Sequence, residues 1–290
     1  MGHALCRYYR VGVDRAGDAL SAYLRARRTM VLPEDVGLPA GGRRRVPGLR
    51  REEVALLAGI SPDYYVRLEQ GRGHRPSREV LNAIAAALGL DGPATSHLHR
   101  LATSAPVRGP RRTEQVPTGM QHLLRSLEAT LPAFVQNRFM DVLASNRLAV
   151  AVSPSFAVGS NVVRAAFLDP AMHELYEDWE LVARETVAGL RASVGARVDD
   201  PRLTALVDDL SEHSDEFRRL WARYDVLPKT GGVRRLRHPL MGSVVLRHEK
   251  LALTGVTGQL LVVHHAEPDT PSAAAFAELA RTALDGAAPG

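Results

Sequence analysis

The chain has 290 residues, 45% of them hydrophobic, enough for one large domain or two ordinary ones with cores of their own. One cysteine, Cys6, excludes an intrachain disulfide framework and a cysteine-built zinc site and fits a reducing cytoplasm, and the absence of any run of about 18 apolar residues argues against insertion in a membrane. The net charge of +5 hides an asymmetry: residues 1–112 hold 19 arginines against 10 acidic residues, while residues 113–290 hold 18 basic against 22 acidic ones, as expected of a nucleic-acid reader joined to something else.

Residues 1–13 lack the apolar core and cleavage pattern of a signal peptide and read as a tail. From Asp14 to Met30 the stripe Ala19, Leu20, Tyr23, Leu24 predicts a helix. The Pro- and Gly-rich stretch that follows is a loop, and its Arg43-Arg44-Arg45 is either an arm on phosphate or minor groove or a solvated charge run. Helical spacing resumes at Arg50–Ala58, Pro62–Gln70, Ser77–Leu88 and Pro93–Ser104, with Ser61 and Ser77 as N-caps and Pro62 at a first helical position. Residues 105–117, rich in Pro and Arg, form a linker. The second domain, residues 118–282, is mixed. Two short strands flank Asn137-Arg138, helices cover Pro170–Val194 and Pro201–Tyr224, strands meet at turns near Met241-Gly242 and Thr254–Gly258, and a helix runs over Pro271–Ala287. Residues 283–290 are assigned as a tail.

The segment REEVALLAGISPDYYVRLEQGR, Arg51 to Arg72, is a helix, a tight turn and a second helix. Gly59 falls where the first helix must stop and φ turns positive. Val54, Ala55, Ala58, Ile60, Tyr65 and Leu68 can share one apolar seam, which leaves Pro62, Asp63, Tyr64, Val66 and Arg67 facing away. A helix-turn-helix lays such a second helix in the DNA major groove. Arg67 can pair with guanine O6 and N7, Asp63 can accept from cytosine N4, and Tyr64 can meet a phosphate or a thymine methyl. Arg50, Arg51, Arg72 and Arg75 flank the turn and can neutralise phosphates.

This segment resembles the helix-turn-helix of the phage-repressor-like XRE family. The lead-in AGGRRRVPGLRREEVA, the continuation YYVRLEQGRGHRPSREVLNAIAAALGL, and the later NRFMDVLASNRLA, AFLDPAMHELYEDWE, SDEFRRLWARYDV and RHPLMG resemble the MmyB-like subgroup of bacterial transcription regulators. The resemblance implies an α+β chain: an all-α five-helix phage-repressor-like domain, then an α/β PAS-like domain that binds a small apolar, fatty-acid-like ligand. It puts Arg51, Asp63, Tyr64 and Arg67 at the DNA-reading places. It also implies a cytoplasmic bacterial protein that meets double-stranded DNA as a homodimer. One departure stands out: no charged residue occurs between Arg147 and Arg164.

In the second domain Phe134, Asn146, Trp179, Trp221 and His238 are the candidate ligand contacts. Trp179 shares a helical face with Leu175 and Val182, and Trp221 with Phe217 and Leu220, so ordinary core is open for both. His238 can bind a carboxylate or make a structural hydrogen bond. Asn137 reads as a turn former. No catalytic residue, metal ligand or cofactor is assigned: the stretches at His173 and His248 lack the second histidine of a zinc-protease helix, and no Gly-x-Ser-x-Gly is present. His264 and His265, neighbours in a strand, point to opposite faces and cannot share one ion. A ligand-sensing regulator is the reading favoured. A protein-docking or dimerisation role for the second domain and an enzyme on a DNA tether are the alternatives, and the interior of the second domain discriminates among them.

Overall fold

The computed structural model describes residues 16–39, 48–72, 75–103, 114–194, 200–225 and 231–285. Residues 1–13, the arginine run at 43–45 and most of the predicted linker lie outside them. The chain forms two compact units, Met1–Gly109 with Val194–Leu227, and Pro110–Ser193 with Pro228–Gly290.

The first unit opens with five helices: α1 (Ala16–Met30), α2 (Arg51–Leu57), α3 (Pro62–Glu69), α4 (Arg78–Ala87) and α5 (Gly92–Thr103). Their ends follow from local chemistry. Ser61 Oγ accepts from the Tyr64 amide at 3.2 Å and Ser77 Oγ from the Val80 amide at 3.3 Å, so each serine satisfies an amide that the helix leaves unpaired. Gly59 has φ +64°, which ends α2 and lets the Ile60 amide return to the Ala55 carbonyl at 3.0 Å. A Cβ at Gly59 would meet nothing, so the backbone angle alone demands glycine. The seam between α2 and α3 buries Val54, Ala55, Ala58, Tyr65 and Leu68, as the spacing predicts; Ile60 at the turn is half-buried.

At the last turn of α3 a carboxylate is held inside this core. The Glu69 side chain is 0% exposed. Its Oε1 accepts from Arg28 Nε of α1 at 2.5 Å, and its Oε2 from Arg51 Nε of α2 at 2.7 Å. Arg28 goes on to donate to the Leu49 carbonyl at 2.8 Å, and Arg25 donates to the Glu69 carbonyl at 3.1 Å. Burial alone would push the Glu69 carboxyl up; the bonds from Arg28 and Arg51 outweigh it and hold the group below the ordinary carboxylate range. Three helices thus meet on one charge.

The second unit is a five-stranded antiparallel sheet, ordered β2 (Val142–Ser145), β1 (Ala133–Gln136), β5 (Leu260–His265), β4 (Gly242–Ala252), β3 (Gly232–His238). One face packs on α7 (Arg147–Val152), α8 (Val162–Leu168), α9 (Pro170–Leu175), α10 (Trp179–Val194) and α13 (Pro271–Asp285), around Phe134, Leu148, Phe156, Leu246 and Phe276. On the other face α6 (Thr118–Ser126) covers Ala133, Val135 and Leu261 through Leu124. A helical first unit followed by this sheet-and-helix layer is the α+β arrangement that the resemblance implied.

Two expected helices are interrupted. Tyr176 breaks the run at 170–194 by pairing with Leu236 of β3, and the Glu177 amide donates to the Arg235 carbonyl at 3.1 Å. Ser214 breaks the run at 201–224 into α11 (Pro201–His213) and α12 (Asp215–Ala222), its Oγ capping the Phe217 amide at 3.1 Å. Both helices belong to the first unit, where Arg27 of α1 reaches Asp225 at 3.6 Å. The uncharged stretch after Arg147 is ordered by its own caps: Ser153 accepts from the Ser155 amide and Asn161 from the Arg164 amide.

Each unit carries one of the two tryptophans, Trp221 in the first and Trp179 in the second, so each can be followed alone. In a Trp179→Phe background, Glu69→Ala is expected to lower first-unit stability by about 3–5 kcal/mol, because Arg28 loses its partner inside the core. Urea unfolding read by Trp221 fluorescence checks this; a loss below about 1 kcal/mol would mean that the site relaxes and admits water.

Candidate nucleic-acid interface and interior cavity

The residues predicted to read DNA all reach the surface of the first unit. Pro62, Asp63 and Arg67 are exposed on α3, and Tyr64 beside them is half-buried. Asp63 and Arg67 are one turn apart and share a face. Arg50 and Arg51 are exposed at the start of α2, and Arg72 and Arg75 follow α3. Among the described residues Arg50, Arg67, Arg72 and Arg75 form no ion pair with this chain, which leaves their charge for an outside anion. Arg51 differs: Glu69 fixes its Nε while the side chain stays 44% exposed, so the guanidinium is aimed as well as charged.

The second unit has a half-open cavity of about 60 Å³ under the inner face of its sheet. Strand alternation builds its floor. The inward positions of β4 run Val244, Leu246, His248, Lys250, so the buried face is apolar at one end and polar at the other. Register places His248 opposite His264 of β5 and Lys250 opposite Val262. Gly232 of β3 lies on the far side of His248, and a Cβ there would come within 3.1 Å of the imidazole Cε1. The missing side chain makes room for the ring. Arg234 of β3 also lines the space and is paired with Glu185 of α10. Apolar walls come from Phe134, Met140, Phe156 and Met172. Phe134 stacks on Phe156 at 4.8 Å between centroids, and Phe156 on the His264 ring at 5.5 Å.

Both imidazoles are buried, His248 at 5% exposure and His264 at 6%, and neither Nδ1 has a hydrogen-bond partner. Burial first, then the nearby Arg234 and Lys250 charges, push the His248 pKa down to about 3. Burial, Lys250 and Arg234 do the same to His264, also to about 3. At neutral pH both rings are uncharged, each able to donate one N–H and accept at the other nitrogen.

Of the five ligand contacts expected from sequence, Phe134 alone lines this space. Asn146 is a buried bolt: its Oδ1 accepts from the Ala133 and Ala149 amides at 3.1 and 2.9 Å, and its Nδ2 donates to the Leu131 carbonyl at 2.8 Å. Trp179 donates to the Ala166 carbonyl at 2.8 Å and stacks on His173. Trp221 lies in the first unit, stacked on Phe217. His238 closes the β3–β4 turn, Nε2 bonded to the Ala151 carbonyl at 3.0 Å and Nδ1 accepting from the Leu240 and Met241 amides at 3.2 Å. Asn137 does turn the β1–β2 connection, its Oδ1 accepting from the Phe139 and Asp141 amides. Arg234, His248, Lys250 and His264 were not singled out as cavity residues. Polar side chains at alternate positions of VVLRHEKLAL were the available signal, but strand register is not written in one strand.

The family described as the MmyB-like transcription regulator ligand binding domain matches residues 116–280. A helix-turn-helix domain family matches residues 19–98. No curated protein matches the chain.

The two neutral histidines give the second unit a signature in acid. Unfolded histidine binds a proton below a pKa of about 6.5, whereas the folded pair stays unprotonated to about 3. The unfolded chain therefore binds more protons as pH falls below about 6.5, and stability falls with it. In a Trp221→Phe background, second-unit stability is expected to drop as pH falls below 6.5, with a slope that approaches about 1.4 kcal/mol per pH unit per histidine by pH 5. His264→Phe should remove about half of that slope. Urea unfolding at stepped pH, read by Trp179, checks it; an unchanged slope in the variant would refute the assignment.

Proposed function

The chain belongs to the MmyB-like transcription regulators, and on that premise we propose that its first unit reads specific double-stranded DNA while its second unit senses a small, fatty-acid-like acid. The observation that carries the DNA half is the exposed, unpaired Arg67 one turn after Asp63, with Arg50, Arg72 and Arg75 around it. Arg67 and Asp63 supply base-edge chemistry, and the flanking arginines supply sequence-independent phosphate contacts. One eight-residue helix reads few base pairs, so the proposal includes a homodimer on half-sites about 34 Å apart. Such a protein acts where the chromosome is, in the bacterial cytoplasm.

The sensing half is supported by the half-open cavity with one polar and one apolar wall, the layout of a small-molecule site. A docking module would have a filled interior instead. Sensing requires that the ligand bind the DNA-competent and DNA-incompetent arrangements with different affinity; tight binding alone shifts nothing. The matched families are regulatory, and the proposal assigns no catalytic step to either unit.

Selection from random duplexes would supply an operator. On it, Arg67→Ala is expected to weaken binding by about 1–3 kcal/mol and relax preference at one base pair. Arg72→Ala and Arg75→Ala should weaken operator and scrambled duplex alike, each lowering the salt slope by about 1. Mobility shift or anisotropy titrations at several salt concentrations measure both. Equal losses for Arg67→Ala on operator and scrambled DNA would demote Arg67 to a phosphate contact.

A further inference from the structure

The helix-turn-helix family match ends at residue 98, yet the first unit also takes in Val194–Leu227, with α11 and α12. Both helices have a buried face, through Leu203, Val207 and Leu210 on α11 and Phe217 and Leu220 on α12. At each end the segment continues into the second unit. It meets the DNA reader at α1, where Asp225 pairs with Arg27.

α1 closes the end of α3, the helix offered to DNA. The last carbonyls of a helix find no partner within it. Here Ser21 Oγ donates to the Leu68 carbonyl at 2.9 Å, Arg25 Nη2 to the Glu69 carbonyl at 3.1 Å, and Arg28 Nε to the Glu69 carboxylate at 2.5 Å. Residues 21, 25 and 28 fall on one face of α1. A roll or slide of α1 is therefore handed on to α3. Arg27 stands about 100° around the helix from Arg28, off that face. Its Nη1 lies 3.6 Å from Asp225 Oδ1, while Arg223 Nε lies 3.0 Å from Asp225 Oδ2. Between Arg223 and Asp225, Tyr224 has φ +56°, the left-handed conformation that usually goes to glycine after a helix. Strain of this kind persists only where surrounding contacts impose it. Stability does not account for the pair that results: at 3.6 Å, with the side chains 20% and 19% exposed, it adds little.

We propose that Asp225 is a positioning residue for DNA reading: by holding Arg27 it fixes the roll of α1, and through α1 the seat of α3. The inference rests on reading the first unit as a DNA reader and makes Val194–Leu227 a working part of that reader. Base-edge contacts need angle and distance together, so they suffer when α3 shifts. Phosphate contacts made by long arginine side chains follow a small shift and carry no sequence information. Loss of the pair therefore costs specificity and spares sequence-independent binding.

The test is titration of the full chain with the selected operator and a scrambled duplex at several salt concentrations. Asp225→Asn and Arg27→Gln are each expected to weaken operator binding by roughly three- to tenfold, the size of a coupling carried through packed elements. The salt slope should stay as it is, because neither residue touches a phosphate. The sign separates positioning from charge: removing a carboxylate from a DNA-binding unit would by charge alone tighten binding to every duplex. The double variant should lose no more than either single one, and Asp225→Glu should restore operator binding. Urea unfolding read by Trp221 in a Trp179→Phe background should leave the Asp225→Asn midpoint close to the parent's. Unchanged or tighter operator binding in Asp225→Asn, equal losses on both duplexes, or a loss that appears only with a lowered midpoint would overturn the proposal. If the parent selects no operator, the DNA reading fails and this inference with it; if the parent selects one and Asp225→Asn reads it equally well, this inference alone fails.

Discussion

One buried carboxylate governs the first unit. Glu69 stands at the end of the helix offered to DNA, and it is neutralised from two other helices, by Arg28 and Arg51. Replacing such a triad with packed apolar groups can be neutral or even stabilising, so stability alone does not account for it. An apolar contact tolerates sliding and rotation, whereas a carboxylate accepting at both oxygens at 2.5 and 2.7 Å fixes direction. The pose of α3 against α1 and α2 is thereby set by angle as well as by volume. Because Arg51 is both a clamp and an exposed cation, the interaction that orients the helix also orients an exposed guanidinium.

The second unit makes the opposite trade. Its sheet could have buried Val, Leu or Phe at every inward position, and at Phe134, Val142, Leu236, Val244, Leu246 and Val262 it buries an apolar side chain. Beside them lie two uncharged imidazoles, a glutamine, a lysine and a paired arginine. Local rules for a stable sheet are broken in one contiguous patch, and breaches of that kind concentrate where function is carried. The surroundings have been adapted to keep the patch: Gly232 yields space to His248, and Glu185 balances Arg234.

How far the sequence could be read follows from the range of the interactions. The helix-turn-helix was legible because its determinants are local: Ser61 and Ser77 cap amides three residues on, and Gly59 ends a helix by its own φ. The strands and hairpin turns of the second unit were legible for the same reason. The breaks at Tyr176 and Ser214 were less so, since Tyr176 leaves its helix for a strand some sixty residues away. The cavity was least legible. It needs the register of β4 on β5, which no single strand encodes, and an accounting of hydrogen bonds that makes Asn146 and His238 internal fasteners. The uncharged stretch after Arg147 takes its order from small caps, Ser153 and Asn161, and not from charge.

The chain does not pass from the first unit to the second once. It crosses near residue 110, returns near 194 to lay down α11 and α12, and crosses again near 228. The two units are therefore tied by three covalent strands, and a cut in the first of them would leave the halves joined. A DNA-binding fragment ending at residue 109 would also lack two of its unit's helices, together with the Asp225 partner of Arg27.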